Sequence, residues 1–250
     1  MSYLRFVVSV LAMNYIFLCA GQNLLERRRE VSTTTTPIPF PPCRADDIDC
    51  LRRGLRTFFN LMDSGHYGMT PVDPIYINSV AIALPEQQLS FLLRKVIVTG
   101  ISWTKLVDKR FHENGIKNGV LFSSDLHVTG DLVMAKADIY EPLFAHMTMD
   151  IQGVQTNITY SWDVGKKKDN EYYISLGQER IAIRNGRLPT FFLQPRASAD
   201  TKIIDKTLQL KTSIVDHFSE EITAAAMRIV MDNIRLFAHT VPVKYYYKLF

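Results

Sequence analysis

Cysteine is scarce in this sequence: three in a chain of 250 residues, none in a C-x2-C pair or a closely spaced Cys/His set. That excludes a disulfide-dense miniprotein and a structural zinc site, and it leaves packing as the main source of stability. An excess of one charge is missing too. With 29 basic and 25 acidic residues the formal net charge is +4, short of the dense positive field that nucleic-acid binders use. G-x-S-x-G, H-E-x-x-H, P-loop and G-x-G-x-x-G patterns are all absent, so the common hydrolase, zinc-protease and nucleotide-binding signatures are not available to it. What the chain does have is 47% hydrophobic and 11% aromatic residues, enough for a substantial core in one large domain or two small ones.

A long apolar run occupies residues 4–20 (LRFVVSVLAMNYIFLCA), with Arg5 as its cation and small residues at Ala20 and Gly21. This is the pattern of a secretory signal peptide. The run is shorter than the roughly 20 apolar residues that span a bilayer, and Asn14 interrupts it. Residues 1–21 are therefore expected to be removed after Gly21. Cys19 and Arg5 go with them, so two cysteines and a formal charge of +3 remain in a secreted, extracellular protein. Residues 22–42 are polar, then Thr-rich, then Pro-rich, without periodicity, and read as a flexible linker. Arg27, Arg28 and Arg29 read as a solvated charge run, with a processing site or an anionic-surface patch as rivals. Thr33 to Thr36 beside Pro37 are candidates for O-glycans. The folded domain is expected over 43–250.

Cys43 and Cys50 bracket six residues, and no other mature cysteine competes for either, which implies a disulfide. The rival, a reactive thiol, is disfavoured because Asp46, Asp47 and Asp49 would raise the thiol pKa. Ile48, Leu51, Leu55, Phe58 and Met62 then follow 3-4-3-4 spacing, which predicts an amphipathic helix. The three aspartates suit its positive end and Ser64-Gly65 its stop.

From 72 to 193 the pattern changes to short β-branched and aromatic runs broken by turn residues, predicting an antiparallel sheet. Met147, Met149 and Ile151 share one face; after Gly153 the apolar set resumes one place later at Val154, Ile158, Tyr160 and Trp162. Gly153 is expected to mark a bulge that bends the strand while keeping one face apolar. Asn157 falls on the opposite face within the sequon Asn157-Ile158-Thr159, a candidate for N-glycosylation. Residues 164–170, with three lysines, read as a hairpin tip, and Asn185-Gly186 as another turn.

No Gly or Pro occurs between Arg196 and Val241, and 213–239 is expected to be helical, about 40 Å long at 1.5 Å per residue. Val215, Phe218, Ile222, Ala225 or Ala226, Ile229 and Leu236 form its apolar stripe. Asp216, Ser219, Glu220 and Thr223 are expected on a polar face in the first half. Met227, Val230, Met231 and Ile234 spread apolar surface round the second half, which is expected to be enclosed. A bent, one-faced sheet with an enclosed long helix predicts a sheet wrapped around a helical spine.

The order of these features, together with a strand start at Asp73-Pro74-Ile75-Tyr76-Ile77 and Val241-Pro242 near the C-terminus, resembles the insect juvenile-hormone-binding and takeout family of secreted carriers. The cysteine pair and D-P-I-x-I are the most specific part, and the likeness covers about 43–250. It implies an α+β fold of TULIP-like type: a long α-helix wrapped by a highly curved antiparallel β-sheet, as an elongated single domain with an apolar tunnel for a lipid-like guest. The haemolymph carriers have a second disulfide, which this chain lacks cysteines to make, so it looks more like the takeout branch. It also carries Pro142, Ala145 and Met147 where the family commonly has Pro-x-x-Gly-x-Gly, and these bulkier residues are expected to reshape the tunnel.

The resemblance implies a tunnel lined from Phe58, Met62, Ile75, Ile77, Val96, Val98, Leu132, Met134, Met147, Met149, Ile151, Phe218, Ile222 and Ile229, with Asn233 as a polar anchor. Read without the resemblance, the same residues are a dry core and Asn233 a buried amide bonded to protein or water. A carrier would sequester a terpenoid, fatty-acid-like or related ligand without chemistry. Burying roughly 400 Å² at 25 cal/mol/Å² gives about 10 kcal/mol gross, and association costs bring this near micromolar affinity. No cofactor, metal or nucleic acid is expected, nor stable membrane insertion, and the carrier is expected to be a monomer. An enzyme is the second class: Asp125 with His127, and His217 with Glu221, are the pairs to examine, though neither has a recognisable nucleophile. A host-defence or membrane-surface protein is the third, with Arg52, Arg53 and Arg56 facing anionic headgroups.

Overall fold

Two strands far longer than the usual five or six residues organise the molecule. The computed structural model describes residues 42–111, 118–166, 170–196 and 198–248, all within one compact unit. The expected signal peptide, nearly all of the linker and the hairpin tip at 167–169 lie outside the described residues. In chain order the strands are β1 (Cys43–Arg44), β2 (Ile75–Leu84), β3 (Leu89–Thr99), β4 (Lys105–Arg110), β5 (Asn118–Lys136), β6 (Leu143–Tyr160), β7 (Trp162–Lys166), β8 (Tyr172–Leu176), β9 (Arg180–Arg184), β10 (Thr190–Gln194) and β11 (Tyr247–Lys248). The helices are α1 (Ile48–Asp63), α2 (Ala199–Leu210) and α3 (Thr212–Thr240).

β5 and β6 pair antiparallel along almost their whole length. On the free edge of β5, β3 pairs with the C-terminal part and β4 with the N-terminal part. On the free edge of β6, β10 pairs with the first half and β9 with the second. Both changes of partner fall at the same level, where the β5–β6 register slips between Ser124 and Leu126. Gly153 is the slip: its φ is +61°, and its N–H donates to the Asp125 carboxylate at 2.7 Å. The expected bulge is therefore present, and it places Met147, Met149, Ile151, Val154 and Ile158 all on the buried face. An extra residue on one strand raises the local twist, so the sheet curls at this level.

Gly100 makes the crossing from β3 toward β4 possible. Its φ is +97°, and a Cβ there would stand 2.4 Å from the Asp125 carbonyl oxygen. The Asp73 carboxylate accepts from the N–H groups of Gly100 at 3.0 Å and Ser102 at 3.3 Å. That is the physical content of D-P-I-x-I: Asp73 fixes the crossing while Ile75 turns inward, buried.

The stretch free of Gly and Pro divides at Lys211, whose φ and ψ of −128° and 64° are not helical, so the long helix α3 follows a shorter α2. α3 runs 29 residues, roughly 43 Å at 1.5 Å per residue, and packs against β2, β8 and β9. The fold is thus α+β, a curved antiparallel sheet about a long helix. Two expectations for α3 need correction. Ser219 and Thr223, assigned to a polar face, are fully buried, and Leu236, assigned to the stripe, is 38% exposed. The reason lies at the turn after β9: the Ser219 hydroxyl donates to Asn185 Oδ1 at 2.8 Å, and the Asn185 amide donates to Asp216 at 2.6 Å. Ser219, paired in this way, can lie inside, so the buried stripe widens to include it beside Val215, Phe218, Ile222 and Ala226; Thr223 is buried with no hydrogen-bond partner for its hydroxyl among the described residues. The second half is not enclosed all round either, since Arg228, Asp232, Leu236 and His239 are exposed.

α1 forms where its spacing places it. Asp47 caps it by accepting from the Cys50 N–H at 2.8 Å, and Gly65 follows in the left-handed region. The Cys43–Cys50 disulfide is formed and joins β1 to the first turn of α1. β1 in turn pairs in parallel with β11 through Cys43 with Tyr247 and Arg44 with Lys248, so the two ends of the domain meet beside the disulfide.

Candidate functional site

The inward stripe of α1 does not close completely against the far end of α3. Leu51, Leu55 and Phe58 from α1 face Met231, Ile234, Phe237 and Ala238 from α3 across a hollow of about 230 Å³. Leu106 of β4, Val120 and Phe122 of β5, and Tyr160 of β6 supply the sheet wall, and Cys43 and Tyr246 stand at the disulfide side. A second hollow of about 160 Å³ adjoins it, walled by Trp162, Ile174 and Leu176 from the β7–β8 hairpin and by Tyr247. Six residues, among them Tyr160, Ile234, Ala238 and Tyr246, border both. Gly54, buried on α1, also lines the larger space.

Aromatic rings hold one side of this space in shape. Phe237 meets Phe58 at 5.0 Å and Tyr67 at 5.6 Å, both edge to face, and Tyr246 at 5.2 Å. Such pairs contribute about 0.5–1.5 kcal/mol each beyond area burial. Among the described residues, no charged side chain lines either hollow. Burial pushes the Tyr160 and Tyr246 hydroxyls well above the ordinary phenol range, so both stay protonated and neutral. Among the described residues the arrangement therefore offers dispersion contacts, and no cation for an anion or ligand set for a metal.

The candidate tunnel residues fall in two places. Phe58 lines the larger hollow. Met62, Ile75, Val96, Val98, Leu132, Met134, Met147, Met149, Ile151, Phe218 and Ile222 are buried in the core, and Ile77 and Ile229 are half-buried against it; none of them lines either hollow. Asn233 is not an open anchor. Its Oδ1 accepts from the Thr70 N–H at 2.8 Å and its Nδ2 donates to the Thr70 carbonyl at 2.7 Å, so the amide fastens the loop after α1 to α3. Asn157 is half-buried on β6 and accepts from the Arg110 guanidinium at 3.0 Å.

Of the polar pairs singled out in the sequence, the one on β5 serves the sheet. Asp125 caps Gly153, while His127 pairs across the strands with Asp150 at 2.6 Å. His217 lies 3.9 Å from Glu220. Arg52 donates to the Leu106 carbonyl at 3.0 Å and to Asp49, and Arg56 stacks over Trp103 at 5.1 Å. A polar depression of about 520 Å³ beside Trp103 is lined by Asp63 and Asp73, whose carboxylates are engaged by backbone N–H groups and Ser102.

Leu106, Phe111, Val120, Phe122, Tyr246 and Tyr247 line the hollows without being marked as site residues by the sequence pattern. Their signal is weak: they are one or two apolar residues from each of several separate segments, and Tyr246 and Tyr247 follow the last recognisable pattern.

No protein-family model matches the chain. In sequence it is 28% identical over 162 residues to the juvenile hormone-binding protein of Manduca sexta, an overlap that covers 62% of this chain and 69% of that protein. In structure it aligns with Takeout 1 of Epiphyas postvittana at a TM-score of 0.67, covering 83% of this chain and 99% of that one. The sequence identity there is 15%, so that likeness is one of fold.

Proposed function

Because this chain stands with the juvenile-hormone-binding and takeout family in both sequence and fold, we propose that it is a secreted carrier that sequesters a small hydrophobic ligand. The ligand lies in the paired hollows at the disulfide end and undergoes no chemistry there. The observation that carries this reading is the larger hollow itself. An apolar cavity of about 150 Å³ already accepts benzene and stays dry when empty, whereas this one is about 230 Å³ with a second space against it. Its walls come from α1, the sheet and α3 together, so a guest would touch every layer of the fold. Transfer of apolar surface at about 25 cal/mol/Å² supplies the affinity, and the walls formed by the described residues set no desolvated charge beside a hydrocarbon stretch.

The test is recovery of the protein from the medium of secreting insect cells, followed by organic extraction and mass spectrometry of the extract. A stoichiometric hydrophobic molecule is expected, as is displacement of an environment-sensitive apolar dye by terpenoids or acyl chains at micromolar concentration. Protein that is repeatedly empty and indifferent to both ligand classes would sink the carrier reading.

A further inference from the structure

The edge of a sheet carries unpaired backbone groups that invite another strand, and proteins guard such edges with short length, charge or proline. Among the described residues the curved sheet ends in four edges, formed by β2, β4, β9 and β10. Three are guarded. β4 carries Lys105, Asp108, Lys109 and Arg110, β9 begins and ends on the exposed Arg180 and Arg184, and β10 is five residues long between Pro189 and Pro195. β2 is the exception. It runs ten residues, IYINSVAIAL, with no charge and no proline. Its backbone bonds to β3 on one side, and among the described residues no backbone group of β2 bonds to anything else.

The side chains along this edge suit those of the same strand turned end for end. Ile75, Val80 and Ile82 are buried on the inner face, whereas Tyr76, Ala81 and Ala83 are exposed on the outer one. Tyr76 is 72% exposed and stands opposite Ile97 of β3, itself 36% exposed. When two copies of β2 are laid antiparallel about the bond between Ser79 and Val80, Tyr76 of each faces Ala83 of the other, and Ile77 faces Ile82. Large meets small on the outer face and apolar meets apolar on the inner one, with no like charges set together. At these positions the strand is complementary to itself, as a two-fold contact requires.

We propose that two copies of this chain associate through their β2 edges, forming one antiparallel sheet that continues across a two-fold axis. A monomer is the expectation from the sequence; the unguarded edge replaces it with a reversible dimer. Main-chain hydrogen bonds supply the attachment, as when an extended segment adds to any open sheet edge. No β2 residue lines either hollow, so the contact is separate from the ligand site.

Sedimentation velocity of the full chain over about 1–100 µM tests this, with association expected near roughly 10 µM because a single ladder is a small interface. Ala81→Lys combined with Ala83→Lys, both at exposed positions, puts on β2 the charge that guards other edges. It is expected to weaken association by about tenfold or more without lowering the melting temperature. Residues directly opposite in an antiparallel pair lie within reach of a disulfide. A mixture of Tyr76→Cys and Ala83→Cys proteins is therefore expected to cross-link under mild oxidation faster than either protein does alone. A chain that stays monomeric throughout the concentration range would overturn the dimer. A dimer indifferent to the two lysines would overturn the β2 edge as its site, and cross-linking no faster in the mixture would overturn the register.

Discussion

Replacing Gly100 with alanine is expected to destabilise the fold by about 4 kcal/mol, a loss large enough to be diagnostic of a specific mechanism. Two costs combine. At φ +97° a residue with a Cβ is strained by roughly 1–2 kcal/mol. The new methyl group would also stand 2.4 Å from the Asp125 carbonyl, and the strand crossing must separate from β5 to relieve the contact. Gly153→Ala is the control. Its φ is +61°, but nothing lies within 4 Å of the added Cβ, so only the conformational cost of about 1 kcal/mol applies. Urea denaturation curves with a common slope measure both. Equal losses for the two variants would mean that close approach of the chain to the bulge does not hold the curl.

Ala238→Phe is expected to weaken binding of apolar ligands by about seventyfold while the protein remains folded. Ala238 borders both hollows and is itself buried, so a phenyl ring there would occupy the space a guest needs. Excluding roughly 100 Å² of ligand surface removes about 2.5 kcal/mol. Dye displacement reads the affinity, and circular dichroism verifies the fold. Undiminished binding in a folded variant would place the guest outside these hollows.

The elements legible in the sequence are those coded by local pattern. The 3-4-3-4 spacing of Ile48, Leu51, Leu55, Phe58 and Met62 marks α1, the two cysteines mark their own pairing, and the phase slip at Gly153 marks the bulge. Ser219 joins the buried stripe of Val215, Phe218, Ile222 and Ala226 on α3 because Asn185 satisfies its hydroxyl, a partner far away in sequence that no periodicity can announce. The location of the hollow is harder still. Periodicity tells which residues face inward, but whether facing residues touch depends on how curved layers meet. Ala145 and Met147, where the family pattern has glycines, are buried on the inner face of β6 and add volume to the middle of the sheet. The gap lies toward the disulfide end, where α1, α3 and the last residues converge, each contributing only two to four side chains.

Methionine side chains report directly on where a guest lies. Of the nine in the chain, Met231 lines the larger hollow, whereas Met134, Met147 and Met149 are buried in the middle of the sheet. With the methionine methyl groups labelled with carbon-13, titration with a neutral lipid ester is expected to give intermolecular Overhauser contacts to Met231 and none to those three. Contacts to Met134, Met147 and Met149 with Met231 unperturbed would contradict the account, because the guest would then lie within the wrapped sheet and not at its disulfide end.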